Sequence, residues 1–238
     1  MIAADMPRRL TAEAVGTAML LAAIVGSGIM ADRLAGGNRA IALMANTIAT
    51  AAALGAMILT FGSVSGAHFN PAVSIADASQ GGLRWRQVPG YVAAQLTGAV
   101  LGVWTAHGMF GERVFMVSLH PRSGPAQLLS EFVATFGLLS VIWGCSRHRS
   151  DTVPAAVALY IAAAYWFTAS TSFANPAVTV ARALTDTFAG IRPIDVPGFV
   201  MAQLAGAAVA TLLFRWLVPS LACEADHVAV PRSEADRS

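Results

Sequence analysis

The chain has 238 residues, of which 56% are hydrophobic and only 12% charged. Soluble domains carry about 25% charged residues, so the balance points to lipid rather than water as the surrounding solvent. The net charge is +2 and all fifteen basic residues are arginine, which leaves no basic patch for nucleic acid and no acidic tract for a basic partner.

Crossing a hydrocarbon core takes roughly 20 apolar residues, and in chain order six stretches approach that length: 10–30, 40–61, 88–109, 126–144, 153–167 and 196–218. The first follows Arg8 and Arg9 but is as long as a spanning helix, so it reads as a span rather than a cleaved leader. The fifth is short, with room to extend toward Ala169. Two further apolar stretches, 71–79 and 176–188, are about half the length of a crossing helix. Each opens on Asn-Pro-Ala: Asn70, Pro71 and Ala72, then Asn175, Pro176 and Ala177. Asparagine is a good N-cap and proline is tolerated at the first helical position. Each box therefore predicts a helix start, and a short apolar helix among spans predicts a re-entrant half-helix. Its non-helical lead-in must line a water-filled cavity or be buried in protein.

The tail, 223–238, is polar with mixed charge and is expected to be disordered. Cys145 and Cys223 are too few for a disulfide framework and read as small hydrophobes. No metal-ligand cluster and no nucleophile with partners stands out, so neither an enzyme nor a metal or other cofactor is expected. With both termini cytoplasmic, nine arginines fall inside and six outside, and the sign of that excess favours this orientation.

The two halves echo each other in order. Leu10-Thr-Ala-Glu13-Ala-Val-Gly-Thr17 matches Leu128-Leu-Ser-Glu131-Phe-Val-Ala-Thr135, the two Asn-Pro-Ala-Val boxes match, and Gln95-Leu-Thr-Gly98-Ala matches Gln203-Leu-Ala-Gly206-Ala. Each half holds three spans and one half-helix. Three is odd, so the second half starts on the opposite face and the repeats are inverted. Paired interrupted segments in inverted repeats point to a site near the midplane.

These residues resemble the aquaporin and glycerol-channel (major intrinsic protein) family. The likeness rests on the two boxes, on Ser65-Gly-Ala-His68-Phe-Asn70-Pro-Ala-Val73 and on the repeated Glu-x-x-x-Thr, and it covers about 10–218. The resemblance implies an all-α membrane fold: six transmembrane helices and two re-entrant half-helices in two inverted repeats. A single channel domain is expected over 1–222, with repeats at about 10–109 and 126–218. The resemblance also implies a homotetramer with one pore per subunit, in a bacterial plasma membrane. Half-helix N-termini present unpaired amides and a positive dipole end, so Asn70 and Asn175 would donate to passing solutes while cations are disfavoured.

Most family members carry an arginine directly after the second box; here that position is Val178. Ungapped spacing from the boxes places the rest of the constriction at Thr50, Ala163 and Ser172, a ring expected to be wide and uncharged. Arg182, one turn after Val178, has two open readings: a guanidinium in the outer vestibule, or a charge facing a loop and favouring the half-helix C-terminus. His68 either lines the inner mouth, where it would be pH-sensitive, or is a packed loop residue. Glu13 and Glu131 lie inside spans, where a carboxylate is functional by default; the matched positions favour acceptors for re-entrant backbone over proton coupling. Gly98 and Gly206 read as sites of close helix approach.

The expected function is a passive channel for small neutral solutes. The run Phe173-Ala-Asn-Pro-Ala-Val178-Thr-Val-Ala-Arg182 resembles a bacterial subgroup linked in part to arsenic resistance. That extends the expected solutes from glycerol-like polyols and some water to trivalent metalloid hydroxides such as arsenous acid. The alternatives are a water or glycerol channel without a metalloid role, and an ion-coupled secondary transporter, which also uses inverted repeats and broken helices.

Overall fold

The computed structural model describes residues 5–146 and 150–218; the expected tail, with Cys223, lies outside them. In chain order the helices are α1 (Met6–Leu34), α2 (Arg39–Ser65), α3 (Pro71–Ser79), α4 (Val88–Phe110), α5 (Pro125–Ser146), α6 (Val153–Phe167), α7 (Pro176–Arg182) and α8 (Val196–Leu217). Their ends follow local chemistry. Asp5 and Asn38 cap α1 and α2 with side-chain oxygens, and proline stands in the first turn of seven helices, all but α2, where its missing N–H costs nothing. Gly66, at φ +89°, ends α2 in the left-handed region, the conformation a side chain resists.

Six helices are long and two, α3 and α7, are short. Length and apolarity alone qualify α1, α2, α5 and the helix ending at Leu217 as membrane spans. The other two long helices depart for identifiable reasons. Gln95 and His107 lower the apolarity of α4, and both are buried against protein. Helix α6 has only 15 residues and stops at Phe167 rather than reaching Ala169, after which Thr168 turns the chain to extended backbone.

Helix α1 packs on α4 and α2, and in the same way α5 packs on α8 and α6; α2 against α6 joins the halves. At the α1–α4 crossing a Cβ on Gly98 would run into the backbone carbonyl of Ala14, and at the α5–α8 crossing a Cβ on Gly206 would meet that of Phe132. Small residues let backbones approach this closely. The repeats are thus visible as matched packing, and counting crossings puts α3 and α7 on opposite faces.

The second half-helix is shorter than the sequence pattern indicates, ending at Arg182 instead of 188. Past Arg182 the chain turns back, with Ile191 N–H donating to the Arg182 carbonyl. The Thr185 hydroxyl pairs with Thr187 and with the His107 ring. Such side chains offer the backbone alternatives to helix, so apolar composition overestimates the helix.

Candidate functional site

The N-termini of α3 and α7 meet head to head. Asn70 caps its helix by accepting from Ala72 N–H at 2.9 Å, and Asn175 accepts from Ala177 N–H at 2.9 Å. Each amide also reaches across the junction: Asn70 Nδ2 donates to the Ala174 carbonyl and Asn175 Nδ2 to that of Phe69, both at 2.8 Å. An asparagine amide carries two N–H donors, so one on each remains after the cross-bond, and both residues line the same cavity. The lead-in loops hold left-handed residues at matched places, Ala67 and Phe69 before Asn70 and Ser172 and Ala174 before Asn175. Each costs about 1–2 kcal/mol and persists where the surroundings over-determine it.

The over-determining groups are the two buried carboxylates. Glu13 accepts from Ser65 Oγ (2.6 Å), His68 N–H (2.9 Å), Phe69 N–H (2.7 Å) and Gln95 Nε2 (2.8 Å). Glu131 accepts from Phe173 N–H and Ala174 N–H at 2.9 Å and from Gln203 Nε2 at 2.6 Å. Each glutamine goes on to the fourth residue after its asparagine, Gln95 to Ser74 and Gln203 to Thr179. Both carboxylates are fully buried.

A cavity of about 70 Å³ lies at the junction, and a water needs roughly 10–15 Å³ of such space, so it has room for several waters. One wall is apolar, with Leu54, Ile58 and Ile142 among its residues. Thr50, Ser172 and Val178 line it, and so does His68. His68 is also packed: its Nδ1 lies 3.1 Å from Ser74 Oγ and its Nε2 3.5 Å from Asp77 Oδ2, so features of both readings meet in one residue.

Ala163 is a correction. It is exposed on the outside of α6, whereas Val157, Ile161 and Tyr165 of that helix line the cavity. Those three are spaced by four and share a face; Ala163 is two residues from Ile161 and Tyr165 and points the other way. Ungapped counting back from Asn175 cannot know the helical phase of α6.

Arg182 lines the cavity and is only 2% exposed. Its Nε donates to the Ala189 carbonyl, and its guanidinium lies over the Phe173 ring, 3.5 Å from the centroid. A second arginine approaches the same ring: Arg122, 4.9 Å from the centroid. Arg122 comes from the 111–124 connection and donates to the carbonyls of Gly190 (2.8 Å) and Ser170 (3.1 Å). Its backbone N–H donates to Asp195 at 2.7 Å. No local signal marks Arg122, because its partners lie 48 or more residues away.

The model of the major intrinsic protein family matches this chain over residues 2–169 and again over 148–236. The chain belongs to the major intrinsic protein family. It is accordingly an integral membrane channel and not an enzyme. The aquaglyceroporin AqpS of Rhizobium meliloti (strain 1021) is 55% identical over 214 residues, 90% of this chain and 91% of that one. Aquaporin NIP1-1 of Oryza sativa subsp. japonica is 44% identical over 95 residues, 39% of this chain and 34% of that one. The solved structure of the aquaglyceroporin from Plasmodium falciparum superposes with a TM-score of 0.70, covering 91% of this chain and 99% of that one at 21% identity, a likeness of fold. Among the described residues no group of histidine, cysteine and carboxylate side chains is arranged to hold a metal.

Proposed function

We propose that this family member is a passive channel for small uncharged solutes: glycerol-like polyols, some water, and trivalent metalloid hydroxides such as arsenous acid. The carrying observation is the cavity wall at Thr50, Ser172 and Val178, where all three side chains are small or medium and Val178 stands where most members carry an arginine. The relative named an aquaglyceroporin supports polyols as substrates. In this reading Asn70 and Asn175 offer their free amide hydrogens to passing oxygens, and the apolar wall keeps solutes in one orientation. Pro71, Ala72, Pro176 and Ala177 set the helix starts that aim those amides. Arsenous acid is a neutral polyhydroxyl species in ordinary conditions, so it meets the same donors as glycerol.

Residues 1–222 act as one channel domain, in a homotetramer with one pore per subunit. It sits in a bacterial plasma membrane with both termini cytoplasmic, so that α7 enters from outside. Glu13 and Glu131 are scaffold carboxylates: their oxygens are engaged by loop N–H groups and glutamines, which argues against the coupling role a secondary transporter needs. Stopped-flow light scattering on proteoliposomes tests the reading with water, glycerol and arsenous acid. Wild type is expected to pass all three, and Val178→Arg to suppress the two bulkier solutes. A wild type that passes water alone refutes the wide constriction.

A further inference from the structure

Val178 removes the fixed charge that would otherwise stand on the first turn of α7, yet a buried guanidinium occupies the same cavity wall one turn on. Arg182 follows Val178 by four residues, which puts it on the same helix face, about 6 Å farther along α7. Three observations make it more than a loop anchor. It lines the cavity while only 2% exposed. Its Nη1 is buried with no hydrogen-bond partner among the described residues. Its plane is held over Phe173, which itself lines the cavity and sits edge-on to Phe199, with centroids 5.3 Å apart. A buried donor left unpaired is costly, so a cavity beside it is the natural source of an acceptor oxygen, from water or from a solute hydroxyl.

The rest of the surroundings fixes that geometry. The Ala189 carbonyl takes the Arg182 Nε–H. Arg122 approaches the same Phe173 ring and ties the loops before and after α7 together through Ser170 and Gly190. The opposite repeat makes an instructive contrast. Asp77 stands seven residues after Asn70, as Arg182 stands seven after Asn175. There the matched charge is negative and faces His68, its Oδ2 3.5 Å from the imidazole. The two half-helices therefore carry side chains of opposite formal charge at equivalent positions.

We propose that Arg182 is the charge- and oxygen-selecting residue of this channel, replacing from the next helical turn the side chain that Val178 lacks, with Phe173 and Arg122 as its positioning residues. A fixed cation in the cavity wall repels permeating cations, and its spare N–H donates to the oxygen of a neutral solute. Because Arg182 lies farther out than position 178, charge selection and pore width are separated: the ring stays wide while the cation barrier is kept. This inference rests on the neutral-solute reading above.

The test measures proton leak under a clamped potassium diffusion potential and glycerol flux in the same proteoliposome preparation, for wild type, Arg182→Gln, Arg182→Lys and the exchange Val178→Arg with Arg182→Val. The ratio of leak to glycerol flux is expected to rise tenfold or more in Arg182→Gln. It should stay within about threefold of wild type in Arg182→Lys, and remain low in the exchange while glycerol flux falls. A ratio in Arg182→Gln equal to wild type, or a leak in Arg182→Lys as large as in the glutamine variant, overturns the proposal. If Arg182→Gln does not assemble, the exchange decides, since a leaky exchange refutes a charge that works from either turn. Arg122→Ala is expected to raise the leak ratio in the wild-type background and to add nothing in Arg182→Gln; additive leaks remove Arg122 as a positioning residue. Should wild type pass no glycerol, the solute reading fails, while the same leak referred to water flux still tests Arg182.

Discussion

Glu13 is the residue whose replacement separates a holding role from a coupling role. Its Oε1 accepts from Ser65 Oγ and His68 N–H, and its Oε2 from Phe69 N–H and Gln95 Nε2. In Glu13→Gln one oxygen becomes an NH2 group. Whichever oxygen is lost, one backbone N–H loses its acceptor, while Gln95 keeps Ser74 as a partner. An orphaned buried donor costs about 1–3 kcal/mol, so Glu13→Gln costs that and Glu13→Ala, which orphans both N–H groups, about twice as much. Left-handed Ala67 and Phe69 then have less to hold them against relaxation. At about 2–4 °C per kcal/mol for a chain of this size, melting in detergent should fall by roughly 5 °C for the glutamine variant and roughly 10 °C for the alanine variant. Glycerol flux should fall in the same order and remain indifferent to a proton gradient. A glutamine variant that melts like wild type would refute the holding role. If it also loses a gradient-dependent part of uptake, the carboxylate is a coupling group and the channel reading fails with it.

Gly206→Ala sets a Cβ against the Phe132 carbonyl, where no side chain can yield, and such overpacking costs about 1–3 kcal/mol; detergent melting should fall by several degrees. Ala163→Leu is expected to leave glycerol flux within about twofold, whereas Tyr165→Ala should raise it for the bulkier solutes; equal effects would return Ala163 to the pore wall. Arg122→Ala removes the donors to Ser170 and Gly190, so amide hydrogen exchange should speed up across 168–174 and 183–191 and stay unchanged at α3. Exchange that is unaltered in both segments would mean the arginine is not their fastener.

Features governed by short-range chemistry were legible in the residue order. The boxes predicted both half-helix starts because an asparagine cap followed by proline is a local instruction, and Pro71–Ser79 ends where its apolar run does. Repeat order disclosed the inversion, since three crossings per half leave no other sidedness. The pairing of Glu13 with the first loop and Glu131 with the second was readable from matched position. What failed depended on helical phase or on distant partners. Ala163 was misplaced because spacing from Asn175 runs through 168–174, an extended segment with left-handed residues that shares no period with α6. The length of α7 was overestimated because Thr185 and Thr187 find partners outside the helix. Arg122 looked like one of fifteen arginines, and the two readings of Arg182 stayed open, until folding brought both to one aromatic ring. Composition, caps and repeats thus determined the class of fold and the position of the central asparagines, because each is written in neighbouring residues. Which side chains surround the passage, and with what charge, was decided only by tertiary structure, because that depends on which faces of separate helices and loops turn toward one another.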